Sequence, residues 1–216
     1  MASQAGTRGI PRRAREEQML DMAARVFGAR GYHAASMAEI AEGIGTSKTM
    51  LYAYFGSKEQ LYLACLDRAG ALLIERMRSA APPDMSAEER LWAGVLAFFA
   101  HVAERRAEWS VLYQEAVLES GPLAAKVAQL RQEIADVVKR VVEQAAEERG
   151  ATQLDEMHSE AIAQAVVGAG ESLANWSVRD GSPPTEALAT LLMNSTWNGI
   201  RPFLHGTRWS PPSERG

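Results

Sequence analysis

Cysteine is all but missing from this 216-residue chain, with Cys65 the single example. No intrachain disulfide can form, and a reducing compartment is the natural setting. Long hydrophobic runs are missing as well. The longest, Leu91 to Ala103, carries His101 and falls well short of the ~20 residues a membrane helix needs. The first residues hold no apolar stretch of the kind a secretory signal requires. A cytoplasmic protein with no membrane partner is expected. Histidine is sparse and scattered, at 33, 101, 158 and 205, without metal-ligand spacing. Cys65 has no evident base, and no glycine loop is placed to cradle phosphate. Neither enzyme activity nor a cofactor is predicted.

What is present is a 47% hydrophobic content, enough for a sizeable core, with 23% charged residues and a formal net charge of −4. The distribution of charge says more than its sum. Residues 1–60 hold 8 Lys/Arg against 6 Asp/Glu, and the remainder 15 against 21, so the N-terminal end is the basic end. Arg8, Arg12, Arg13 and Arg15 precede the first acidic residue. Such a cluster can neutralise phosphate, or simply form a solvated arm over residues 1–11.

Glycine and proline breaks fall at 31–35, 81–84, 121–122, 150–155, 180–184 and after 206, and between them every long segment reads at helical period. The fold class predicted is all-α. Ser36 with Glu39, and Ser57 with Gln60, have capping-box spacing, while Gly45 can end one short helix and Ser47 cap the next. The result is helix, tight turn, helix, followed by a third helix from Ser57. At 100° per residue, Leu51 and Phe55 share one arc and would pack on Ile40, Ala41 and Ile44. Lys48, Thr49, Tyr52 and Ala53 then face outward, and a lysine, a threonine and a tyrosine suit the edges and phosphates of a DNA major groove. Tyr54 and Lys58 would clamp the backbone. The opposing reading makes Tyr52 and Tyr54 half-buried residues of an ordinary helical hairpin.

From Arg15 to Leu61 the ordered motifs Ala24-Arg25-Val26-Phe27, Gly31-Tyr32, Ile40-Ala41, Gly45-Thr46-Ser47 and Leu51-Tyr52-Ala53-Tyr54-Phe55-Gly56-Ser57-Lys58-Glu59 resemble the DNA-binding domain of the TetR family of bacterial regulators. The resemblance implies an N-terminal three-helix DNA-binding domain over residues 1–56, a larger helical ligand-binding and dimerisation domain over 57–205, and a tail from 206 to 216. It further implies a homodimer on a palindromic double-stranded operator, released by an unknown small-molecule inducer, with Ser36, Ser47, Lys48, Thr49, Tyr52, Tyr54 and Lys58 at the DNA. Ala53, Ala38, Met50 and Thr46 depart from the usual family pattern, which leaves direct readout to Lys48, Thr49 and Tyr52. A constitutive or protein-regulated DNA-binding dimer is the alternative.

The C-terminal half is read by pattern. Leu91 to Ala103 is apolar on every side, as a helix buried all round would be. Trp92, Phe99 and His101 are pocket candidates there, joined by Trp109 and Tyr113; an ordinary core uses the same residues. Ile162, Val166, Ala169, Leu173 and Trp176 form one stripe, beside a ridge of small residues at Ala161, Ala165, Gly168 and Ser172. Leu188, Leu192, Ser195 and Gly199 form another. Two helices with two buried faces each suit a four-helix interface about a two-fold axis, for which Ile162, Val166, Ala169, Leu173, Leu188, Leu192, Ser195 and Gly199 are the candidates. Glu171 and Asn175 lie in this apolar segment, available to a polar ligand group, to the interface or to solvent; with Trp176 they complete the ligand candidates.

Overall fold

The computed structural model describes residues 11–114, 121–151, 154–179 and 183–206. Among these residues the regular elements are all helices: α1 (Arg12–Ala34), α2 (Met37–Gly43), α3 (Lys48–Phe55), α4 (Lys58–Ala80), α5 (Ala87–Glu104), α6 (Arg106–Gln114), α7 (Pro122–Arg149), α8 (Glu156–Arg179) and α9 (Thr185–Leu204). Among the described residues no helix is long and apolar enough to cross a membrane. The chain packs as two compact units, Met1–Ala69 with Ala107–Val127, and Gly70–Arg106 with Ala128–Gly216. The first unit therefore takes in α6 and the first half of α4 besides residues 1–56.

In the first unit, Met19, Leu20 and Phe27 of α1, Ile40 of α2, Leu51 of α3, Leu61, Tyr62 and Leu66 of α4, and Val111 of α6 are all buried. The Phe27 and Tyr62 rings meet edge to face at 4.7 Å, and the Tyr62 hydroxyl donates to the Val111 carbonyl at 2.8 Å. A buried hydroxyl needs such a partner. α1 approaches α6 so closely that a Cβ on Gly28 would lie 2.7 Å from the Ala107 carbonyl oxygen. Arg68 of α4 faces Glu17 at 3.1 Å, Asp21 at 2.8 Å and Glu108 at 3.6 Å, so one guanidinium links α1, α4 and α6. Burial, opposed by Arg68 and reinforced by Glu108 and Asp21, pushes the Cys65 thiol up to about 12. Cys65 is a packing residue without thiolate character.

The second unit comprises the second half of α4, α5, most of α7, α8 and α9. Phe98, Phe99 and Val102 of α5, Val138 and Val142 of α7, Ala163, Val167 and Ala174 of α8, and Leu192 and Trp197 of α9 form its core. α8 passes Leu192 and Phe98 at a distance where even a Cβ on Gly170 would stand in ordinary contact, at 3.6 and 3.7 Å. Arg131 grips Glu171 with two hydrogen bonds of 2.8 and 2.7 Å, fastening α7 to α8.

One local expectation needs correction. Ser36 accepts from the Glu39 amide at 3.1 Å, but the Glu39 carboxylate turns to Arg30 at 2.6 Å, where an ion pair competes with the return half of the capping box. The complete reciprocal box is at Ser86 and Glu89, at the start of α5. Glu171 is taken up by Arg131 within its own chain.

Candidate nucleic-acid interface

The polar surface of the first unit is built by short-range devices. Ser47 caps α3 by accepting from the Met50 amide at 3.2 Å, and Gly56, at φ 75°, ends it with its amide on the Tyr52 carbonyl at 2.8 Å. The turn before it depends on Gly45, at φ 67°, a conformation a Cβ disfavours. Thr46 then donates back to the Ala41 carbonyl at 2.9 Å, closing α2 and aiming α3. Leu51 is fully buried and fixes the rotation of the helix, with Phe55 half-buried beside it.

With Leu51 inward, Lys48, Thr49, Tyr52 and Ala53 are exposed, Tyr52 to 41%. The Lys48 Nζ lies 5.8 Å from the centre of the Tyr52 ring, so the ammonium and the phenol belong to one surface. The half-buried Tyr54 carries the Arg12 guanidinium 5.4 Å above its ring, which brings the basic start of α1 to the end of α3. Arg8 lies outside the described residues. Lys58 is half-buried, donates to the His33 carbonyl at 3.2 Å and sits 4.7 Å over the Tyr32 ring. It holds the exit of α1 as well as presenting a charge. Ser36 and Ser47 are exposed caps whose oxygens already accept a backbone amide.

The ligand candidates are divided between the two units. Phe99 and His101 are buried in the core of the second unit, and Phe99 meets Phe98 at 5.1 Å. Burial, with Arg105 and Arg76 nearby and only Glu104 opposing, pushes the His101 imidazole down to about 4, and its Nε2 has no hydrogen-bond partner among the described residues. Asn175 is buried, Trp176 is 42% exposed, and Trp92 lines an open hollow on α5 and α9 with Trp197. Trp109, buried, and Tyr113, exposed, belong to the first unit. A cavity of about 300 Å³ lies instead among the end of α4, the start of α5 and the middle of α7, apolar except for three arginines. None of the candidates lines it. Its residues come from two segments, 77–95 and 137–141, that are more than forty positions apart in sequence, and their one local signal is the paired valines of α7.

Of the interface candidates, Val166, Leu188 and Leu192 are buried in their own unit, Ile162, Ala169 and Leu173 are half-buried, and Ser195 and Gly199 are exposed. The neighbouring ridge stays open: Ala161, Ala165 and Ser172 are exposed, as are Met157 and Leu191, at 67% and 50%.

Family comparison agrees with this layout. The family model "Bacterial regulatory proteins, tetR family" matches residues 19–65, and "Tetracyclin repressor-like, C-terminal domain" matches 87–199. The HTH-type transcriptional activator FasR of Mycolicibacterium smegmatis is 36% identical over 129 residues, 60% of this chain and 59% of the relative. The HTH-type transcriptional repressor ComR of Escherichia coli is 35% identical over 98 residues, 45% of each chain. The chain thus spans about half to three-fifths of these curated relatives. A TetR-like transcriptional regulator from a Rhodococcus species has a solved structure that matches at 35% identity and a TM-score of 0.76, over 89% of this chain and 98% of the other. From the first helices to the C-terminal bundle, the chain belongs to the TetR family of bacterial transcriptional regulators, a family of DNA-binding proteins rather than enzymes.

Proposed function

We propose that the protein is a DNA-binding dimeric regulator whose two α3 helices enter successive major grooves of a palindromic operator, about 34 Å apart. The observation that carries the reading is the exposed Lys48, Thr49 and Tyr52 face, held at fixed rotation by buried Leu51 and capped Ser47. Lys48 and Tyr52 contact phosphates or base edges, Thr49 a base edge or thymine methyl, Arg12 and Tyr54 the flanking backbone, and Lys58 a phosphate. Ser36 and Ser47 sit at helix starts, where amides and partial positive charge favour phosphate.

The second copy docks on the open faces of α8 and α9. A Cβ on Gly168 or Gly199 would meet nothing within 4 Å among the described residues, so backbones can approach closely there, with Met157, Trp176 and Leu191 as apolar contacts. A small molecule held in the second unit releases the dimer from DNA by favouring a different spacing of the two heads, and α4, shared by both units, is the element that carries the change. Repression relieved by ligand is the reading adopted; among relatives, FasR is named an activator and ComR a repressor.

Fluorescence anisotropy with DNA from upstream of the gene, at several salt concentrations, tests the head. Tyr52→Phe weakens specific binding with the fold intact, and Lys58→Ala weakens it and lowers the salt slope by about one. Because Lys58 also holds the His33 carbonyl, its melting temperature is followed in parallel. Selective binding left unchanged in both variants removes these contacts from the proposal.

A further inference from the structure

The cavity of the second unit has a composition that specifies its occupant. Leu91 and Val95 from α5, and Val137, Val138 and Val141 from α7, give it an aliphatic wall. Its charged lining is Arg78, Arg90 and Arg140, with no carboxylate among the lining residues. Arg90 is half-buried and already engaged, its Nε donating to the Ala81 carbonyl at 3.3 Å and its Nη1 to the Gln144 side-chain oxygen. Arg78 and Arg140 are exposed, which puts guanidinium groups where the cavity meets solvent. An apolar hollow behind guanidinium groups fits a molecule with an aliphatic tail and an anionic head, because guanidinium pairs with carboxylate and phosphate in two-pronged fashion.

Gly94 is the second, independent sign. It lines the cavity from inside α5, where glycine is disfavoured relative to alanine, and a Cβ built on it would meet nothing within 4 Å among the described residues. Neither close packing nor a positive φ requires it. The missing side chain leaves room in the cavity wall, and a bound tail would bury the apolar surface that lines it.

We propose that this cavity binds an acyl-type amphiphilic anion, with the tail against Gly94 and the α7 valines and the head on Arg78, Arg90 and Arg140. At roughly 30 Å³ per water-sized group, the 300 Å³ hollow takes a tail of about ten carbons. The head is a carboxylate or a phosphate. This deepens the regulator reading by naming its effector class, and the test uses the free protein so that a failure of operator binding leaves it untouched.

Isothermal titration of the full chain with octanoate, decanoate, dodecanoate and hexadecanoate, each also as its coenzyme A thioester, covers both heads; dodecanol is the uncharged control. A medium-chain anion binds, dodecanol binds at least about tenfold more weakly, and the double variant Arg78→Gln/Arg140→Gln loses about tenfold. Binding of the free acids alone assigns the head to a carboxylate, and binding of the thioesters alone assigns it to phosphate. Gly94→Leu fills the hollow and abolishes binding of the longer tails. Should that variant fold poorly, Gly94→Ala shifts the preferred chain length downward. The proposal is overturned by no binding of any anion at millimolar concentration, by dodecanol binding as tightly as the acids, or by an unchanged chain-length preference in folded Gly94 variants.

Discussion

The two units differ in how closely their helices approach one another. In the first, Arg68 draws three carboxylates from α1 and α6 around α4, the Tyr62 hydroxyl is matched to a carbonyl, and Gly28 lets two backbones nearly touch. The second contains a hollow of about 300 Å³, a glycine facing open space, and a buried imidazole whose Nε2 has no partner among the described residues. A unit cross-tied through Arg68 and closely packed at Gly28 favours one orientation of α3. A unit with internal space has packing to rearrange when something enters it.

Arg68→Met should break this contrast most severely. Glu17 and Asp21 are exposed enough that their pairs contribute little, but the Arg68 and Glu108 side chains are only 14% and 9% exposed. Removing the guanidinium that faces Glu108 should cost about 3 kcal/mol or more, read as a fall in the urea midpoint. Adding Glu108→Gln should recover part of the loss. A fall no larger than that of a surface substitution would show that the tie contributes little, and would weaken the picture of a rigid first unit.

His101 gives the second unit a pH dependence with a definite sign. Unfolded, the imidazole titrates near 6.5; folded, burial and the nearby arginines hold it down to about 4. Between these values the unfolded chain binds a proton that the folded chain does not. Stability is therefore full above pH 6.5 and declines as pH falls toward 4, by up to about 3 kcal/mol. Glu89, Glu104, Asp155 and Glu160 are also lowered, but their losses come below the ordinary carboxylate range. Urea midpoints at pH 7, 6 and 5 isolate the histidine, and His101→Gln should flatten that interval.

What the sequence reveals about these units follows from the range of the interactions. The α3 surface is legible because its causes are local: Ser47 three residues before Met50, Gly45 and Gly56 at the two ends, Leu51 one turn before Phe55. The pocket is not. Aromatic content pointed to Phe99, His101 and Trp109, yet the first two fill the core of one unit and the third belongs to the other. The cavity wall is aliphatic, assembled from segments around residues 77–95 and 137–141, and what defines it is the absence of a side chain at Gly94. Periodicity likewise finds two stripes on α8 without saying which one the chain buries itself. Val166 goes inward, and the ridge of Ala161, Ala165 and Ser172 stays open.

The mildest test makes the same chemical change in both units. Gly28→Ala places a Cβ 2.7 Å from the Ala107 carbonyl oxygen, and that neighbour is backbone, unable to swing aside as a side-chain tip would. Overpacking of this kind costs about 1–3 kcal/mol, more than the helix preference for alanine returns. Gly94→Ala places its Cβ in open space and should gain about 0.5–1 kcal/mol from that preference alone. Thermal melts of the two variants should therefore move in opposite directions. If both rise, α1 and α6 have room to separate and the first unit is looser than its contacts imply. If both fall, the space beside Gly94 is closed in solution, and the second unit is packed as tightly as the first.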